Sequence, residues 1–359
     1  MINNNMAPSI FFPYYYLSND TLLRHQYLYA PTLLRVLPSD RPPRDSKHLK
    51  RIISELSQFN FLDNAYQLEF DFDVNQRFLH LLEYGFDKNN PNYVHCLGKY
   101  EKELASAKTF HLCRNKVWQE LVERLVELRI AEIDRYGEWC FSTRKMVISF
   151  NTCLTISQQE KQGMPRCTDS IAHEELATLI ECSPCDNDDD VLIQRAILEF
   201  PYYVPKNLAA MQLERMQTIR ESLADDATSF QNLITENSLE IQKSESKTDF
   251  LDRIRHFHNQ LHEINGRIYK KLQSHNEQIA IQYAQYRWYI PQDSYLSEIQ
   301  LDDPVSAKDV SCSIINAPVV PNNAERILSY PGAYIWVQES PSLVVKTGGI
   351  FKRLFSFGK

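Results

Sequence analysis

The strongest pattern in the chain is a stripe of apolar side chains three and four residues apart. Phe250, Ile254, Phe257, Leu261, Ile264, Ile268 and Leu272 recur at this spacing, and the stripe continues to Ile279. Such a stripe lies along one helix face, and sustained over several heptads it makes a coiled-coil-like seam. Leu208 to Ile234 carries a similar stripe through Met216, Ile219, Leu223 and Phe230. The polar stretch "ENSLEIQKSESKTD" between them reads as the tip of an antiparallel helical hairpin. Residues 207–290 are therefore expected to be nearly all helical, an arm that projects from or clasps the N-terminal part.

The N-terminal pattern is different. "SIFF" at 9–12 reads as a short buried strand closed by Pro13. "SNDTLLRHQYLYAP" predicts a helix capped by Ser18 or Asn19 and stopped before Pro31, and "TLLRVLP" returns as a strand ending at Pro38. Strand, helix, strand at this spacing is a βαβ start with a parallel pair as its outcome. The proline-rich turn "SDRPPRD" leads to a helix over 46–59.

From about 74 to 135 apolar residues recur at helical spacing, clearest at Val117, Leu121, Leu125, Leu128 and Ile133. A largely buried helix follows in "FSTRKMVISFNTCLTISQQEKQG". From Pro291 the chain turns irregular and proline-rich, with "AYIWVQ" and "SLVV" as strand candidates. The fold expected is predominantly α with a small α/β N-terminal part, a long antiparallel helical hairpin and an irregular C-terminal segment with a few strands. Its divisions are a mixed, mostly helical body over 1–205, a hairpin arm over 206–290, and a segment over 291–359 with an amphipathic tail.

The stretches "SIFFPYYYLSNDTLLRHQYLYAPTLLRVLP", "PRCTDS" and "FPYYVPKNLAAMQLERMQTIRESL" together resemble a family of bacterial proteins of unknown function. Its members open with a short strand, an aromatic helix and a strand ending in proline. They also carry a Thr-Asp after a central strand and a proline-flanked strand before a charged helix. This chain departs from that pattern in lacking an aromatic residue early in the first helix. The resemblance implies a bacterial, cytoplasmic protein from mobile-element or antiviral-defence gene neighbourhoods, and it implies no activity.

Composition narrows the function. The 359 residues are 43% hydrophobic and 24% charged, as in a globular protein with a real core, and nine glycines favour helices over a turn-rich β fold. A net charge of −7 gives no support to nucleic-acid binding, which needs a basic face. Nineteen tyrosines and eighteen phenylalanines can furnish a core or an interface. The first positive charge is Arg24, so the N-terminus makes a poor signal peptide. No run of about 18 apolar residues offers a membrane span. Eight scattered cysteines without a secretion signal point to free thiols in the cytoplasm.

The densest candidate chemistry lies in "RCTDSIAHEELATLIECSPC", residues 166–185. Cys167, His173, Cys182 and Cys185 are the residue types that hold zinc, yet their spacing matches no common zinc pattern. Free thiols in a helix and a loop are the better reading, so no cofactor is expected and zinc is the alternative. Asp169, after a presumed strand end, suits a divalent-metal site if Asp20 and Glu174 converge on it. "DNDDDV" begins like a calcium loop but has Val191 where glycine is needed and Ile197 where glutamate is needed. His258 and His262 sit one helical turn apart, but Asn259 replaces the glutamate of a metalloprotease helix. Phosphate-loop, dinucleotide and serine-hydrolase motifs do not occur.

In the tail, Ile350, Phe351, Leu354, Phe355 and Phe357 share one helical arc, opposite Lys352, Arg353, Ser356 and Lys359. That arrangement suits a membrane surface, a partner's groove or the protein's own core. The function expected is a non-enzymatic interaction or scaffold subunit of a bacterial multi-protein complex, a homo- or hetero-oligomer. The alternatives are a metal-dependent nuclease or hydrolase using Asp169 and a peripheral membrane protein held by the tail.

Overall fold

The computed structural model describes residues 9–11, 21–30, 32–37, 46–59, 61–66, 72–85, 110–113, 117–129, 131–133, 135–136, 139–142, 144–168, 170–181, 191–290, 305–307, 309–319 and 332–337. The chain is mixed α/β. Twelve strands and eight α-helices are described, and nine of the strands form one sheet in the order β10-β11-β8-β9-β12-β7-β1-β2-β3. These strands are β1 (Ser9–Phe11), β2 (Leu33–Leu37), β3 (Leu62–Tyr66), β7 (Arg166–Thr168), β8 (Val191–Pro205), β9 (Ile279–Ile290), β10 (Val305–Ala307), β11 (Val310–Val319) and β12 (Ala333–Val337).

The expected βαβ start is present. β1 and β2 pair in parallel around α1 (Thr21–Tyr29), and β2 continues in parallel to β3 through α2 (Lys47–Gln58). Ser46 caps α2 by accepting from the Leu49 amide at 3.2 Å. The caps expected for α1, Ser18 and Asn19, lie outside the described residues.

The helical hairpin is also present, as α7 (Leu213–Gln242) and α8 (Lys247–Ser274). Its tip is shorter than the polar stretch suggested, because "ENSLEIQ" stays helical and only 243–246 turn. Ser246 accepts from the Asp249 amide at 3.1 Å while the Asp249 side chain accepts from the Glu245 amide at 3.0 Å, two bonds that start α8 sharply. Across the hairpin, Asp226 pairs with Arg267 and Lys271, each at 2.7 Å.

Three sequence expectations need correction. The helical stripe does not run to Ile279: α8 ends at Ser274, Asn276 takes a left-handed turn at φ 58°, and Ile279 opens the strand β9. The helix around 117–133 is only α4 (Gln119–Glu127). Arg129 at φ 58° turns the chain, and Ile133 lies in β5 (Ala131–Ile133), within a small sheet ordered β4-β6-β5 with β4 (Phe110–Cys113) and β6 (Trp139–Ser142). The sheet is not a small N-terminal feature either. Strands from 1–205, 206–290 and 291–359 all join it, and the described part of the C-terminal segment consists largely of its strands β10, β11 and β12. "SLVV" and the tail residues lie outside the described residues.

The hairpin is the connection between two neighbouring antiparallel strands. β8 pairs with β9 from Gln194↔Ile290 to Pro205↔Ile279, and the chain between them folds back over the sheet as α7 and α8. Alternate residues of a strand face opposite sides. On the hairpin side Ala196, Leu198, Phe200 and Tyr202 of β8 join Tyr286 and Trp288 of β9 and Tyr334 and Trp336 of β12, together with the seam from Phe250 to Leu272. Phe200 meets Phe257 edge-on at 6.1 Å and Phe230 at 5.7 Å, so aromatic rings help fix the hairpin to the sheet. α1 and α2 share this face, and Arg24 secures α1 by donating to the Met211 carbonyl at 2.6 Å.

On the opposite side lie α5 (Arg144–Gln162) and α6 (Ile171–Glu181). α5 also builds a second core with α3 (Phe72–Gly85) and α4, centred on Phe78, Leu121, Phe150 and Ile156. Among the described residues no helix is long and apolar enough to cross a membrane.

Candidate functional site

Over Arg195–Glu199 and Gln285–Tyr289 the second face of the sheet is also buried and far more polar, while nearer the ends joined to the hairpin it opens, with Ile281 54% exposed. Odd-numbered residues of β8 and β9 point there, and their register sets Arg195 opposite Tyr289, Ile197 opposite Arg287 and Glu199 opposite Gln285. Ala333 of β12 continues the middle row, lying opposite both Arg287 and Arg166 of β7. Among the described residues, three arginines (Arg166, Arg195, Arg287) and three glutamates (Glu174, Glu181, Glu199) occupy this face and α6 above it, all buried.

Arg166 is saturated. A guanidinium carries five N–H donors, and all five are used. Nε and Nη2 donate to the two oxygens of Glu174 at 2.8 and 2.7 Å. Nη1 donates to Gln159 Oε1 at 2.7 Å and to Glu181 Oε1, and Nη2 donates again to Glu181 Oε2 at 2.9 Å. Glu174 and Glu181 stand two turns apart on α6, so one helix face presents both carboxylates to the strand. Burial disfavours the Arg166 charge, but Glu181 and Tyr289 outweigh it and the pKa is raised.

Arg195 is the opposite case. It is 1% exposed and makes one hydrogen bond, from Nη2 to Glu174 Oε1. Its guanidinium lies 5.4 Å from the centre of the Tyr289 ring, whose hydroxyl donates to Glu181. Nε and Nη1 have no partner among the described residues. Burial pushes the guanidinium pKa well down; Tyr289 opposes this, while Arg287 and Arg166 add to it.

Four residues along β8 stands Glu199. Its Oε2 accepts from Gln285 Nε2 at 2.9 Å, and Gln285 Oε1 accepts from Arg287 Nη2 at 2.8 Å. The other oxygen, Oε1, has no partner among the described residues. Burial raises the Glu199 pKa, against the Gln285 hydrogen bond and the nearby Arg287 charge. This face thus holds one guanidinium with every donor used, one ion-paired guanidinium with two unpartnered nitrogens, and a half-used carboxylate.

Of the residues singled out from the sequence, the structure brings only Glu174 into this site, as an ion-pair partner of two arginines. Cys167 is buried on the hairpin side of β7, whereas His173 stands on α6 above the other face, so these two do not share a site. Asp169, Asp20, Cys182 and Cys185 lie outside the described residues, as do Ile350, Phe351, Lys352, Arg353, Leu354, Phe355 and Phe357. Among the described residues no three His, Cys, Asp or Glu side chains gather in a metal-holding group. His258 is buried at the hairpin seam with its ring stacked 6.2 Å from that of His262.

Sequence reading missed Arg166, Glu181, Arg195, Glu199, Gln285, Arg287 and Tyr289. The available signal was polar side chains at alternate positions inside apolar strands, "IQRAILEF" and "YAQYRWYI". In comparisons with known proteins, the chain matches no family model, no curated protein and no solved structure.

Proposed function

We propose that this protein binds a small ligand through an anionic group, carboxylate or phosphate, with Arg195 as its receptor. The observation that carries the reading is the pair of buried, unpartnered donors Nε and Nη1 of Arg195. Leaving buried donors unpaired costs roughly 1–3 kcal/mol each. The saturated Arg166 beside it rules out a general shortage of acceptors on this face. Arg195 therefore fits a group reserved for a ligand.

The other expected functions find less support in the geometry. Glu174, the carboxylate offered to a metal-dependent nuclease, is occupied by Arg166 and Arg195. The seam that suggested an interaction arm is used inside the chain, where it closes the aromatic face of the sheet. Partners of the arm would meet a polar outer surface, on which Leu239 and Tyr269 are the exposed large apolar residues described.

The test is isothermal titration of the full chain with inorganic phosphate, acetate, butanoate and hexanoate, beside Arg195→Met. Binding of at least one anion to wild type and at least tenfold weaker binding to a folded Arg195→Met supports the reading. Equal binding by both proteins, or none of these probes binding wild type, overturns it.

A further inference from the structure

We infer, resting on the ligand reading above, that the ligand carries a cationic or strongly donating group as well as the anionic one, and that Glu199 receives it. Two independent observations point to this. The first is that the two unmet hydrogen-bonding needs of this face are opposite in kind. Arg195 offers unpartnered donors and Glu199 Oε1 is an unpartnered acceptor, each on a side chain at most 2% exposed. They stand on the same face of one strand, with Ile197 between them and their Cα atoms about 13 Å apart at strand rise.

The second is charge balance. Three arginines and three glutamates already neutralise one another among the described residues of this face. A ligand bearing only an anion would leave an uncompensated charge in a desolvated layer, which is strongly unfavourable. A ligand that carries both signs, as an amino acid does, satisfies Arg195 and Glu199 and preserves neutrality. Its two ends must be held apart to span from one side chain to the other, so spacing between ammonium and carboxylate becomes the specificity variable.

The experiment compares acids of equal chain length with and without a terminal amine on the full chain. Butanoate is set against 4-aminobutanoate and hexanoate against 6-aminohexanoate, with glycine and acetate as the shortest pair. In wild type the amino acid of at least one pair is expected to bind about tenfold more tightly than its plain partner. Glu199→Gln, which keeps a hydrogen-bonding side chain of the same size, is expected to abolish that preference and retain the plain acid. Equal affinity of amino and plain acids for wild type overturns this inference while leaving the Arg195 site standing. Loss of all Arg195-dependent binding removes both. The wild-type comparison needs no variant to fold, so it decides the matter even if Glu199→Gln is unstable.

Discussion

Arg166 and Arg195 converge on a single oxygen of Glu174, which accepts from Nη2 of each. Two guanidinium groups from strands β7 and β8, which are not neighbours in the sheet, are thus held by one carboxylate from α6. Their mutual repulsion is tolerable only because that carboxylate stays charged and in place. α6 is fixed to the sheet chiefly by ion pairs, whereas the hairpin on the other face is fixed by aromatic packing.

Glu174→Gln should therefore be severely destabilising. It removes the charge shared by two buried arginines and leaves both undercompensated, a change worth about 3–5 kcal/mol in comparable buried pairs. Urea denaturation should show the midpoint falling sharply. Glu181→Gln should cost less, because Arg166 keeps its paired bonds to Glu174. If both variants unfold at the wild-type midpoint, the network does not hold α6.

Arg166 and Arg195 should respond unequally to the same substitution. Arg166→Met discards five satisfied hydrogen bonds, takes from Glu181 its arginine and leaves Glu174 with Arg195 alone, so a loss of about 3–5 kcal/mol is expected. Arg195→Met removes two donors that have no partner, but it also removes the Nη2 bond to Glu174, which keeps Arg166, so its loss should be well below that of Arg166→Met. Parallel urea melts decide between them. A large loss in Arg195→Met would mean that Arg195 is a structural residue and would argue against its being held for a ligand.

The contrast between these two arginines also shows what the sequence could reveal. Cap and stop signals at Pro13, Pro31 and Pro38 located β1, α1 and β2, and apolar periodicity located the seam from Phe250 to Leu272. β9 escaped because no proline or glycine separates it from α8; the break rests on Asn276 alone. Both faces of its second half are buried, so large aromatics alternate there with Gln285, Arg287 and Tyr289 and blur the polar-apolar rhythm. Arg195 and Glu199 are four apart, a spacing that places residues on one side of a strand and also on one side of a helix. Glu174 was legible as an acid that could join Asp169 in a metal site. Its role was not, because that depends on Arg195, which only the strand order brings near.

Buried His25 makes the hairpin side acid-sensitive. Its Nδ1 lies 2.7 Å from the Tyr202 hydroxyl, and burial lowers its pKa from 6.5 to about 4. Between those values the unfolded chain binds a proton that the folded chain does not, so stability falls as pH drops from 6.5 towards 4. At about 1.4 kcal/mol per pH unit the loss reaches roughly 3 kcal/mol at the lower end. His25→Gln keeps a polar side chain that does not titrate here. Its stability-versus-pH curve should be flatter than that of wild type over this window, and superimposable slopes would mean that His25 titrates normally.

Gly332 tests how closely the two faces are tied. The Tyr286 ring on the hairpin side occupies the space that a Cβ at position 332 would need. The next residue, Ala333, lies in register with Arg166 and Arg287 on the charged side. Gly332→Ala should therefore cost about 1–3 kcal/mol, the range for forcing an extra methyl into a packed interior. Tyr286→Leu shortens the obstructing side chain, so the double variant should be more stable than the two single losses added together. A coupling of at least about 1 kcal/mol in that cycle is expected from denaturation of the four proteins. If strain in the Ala333 strand also reaches Arg166, Gly332→Ala should weaken anion binding at Arg195 while leaving every ligand-facing side chain intact. Unchanged affinity with lowered stability would confine the effect to the aromatic face.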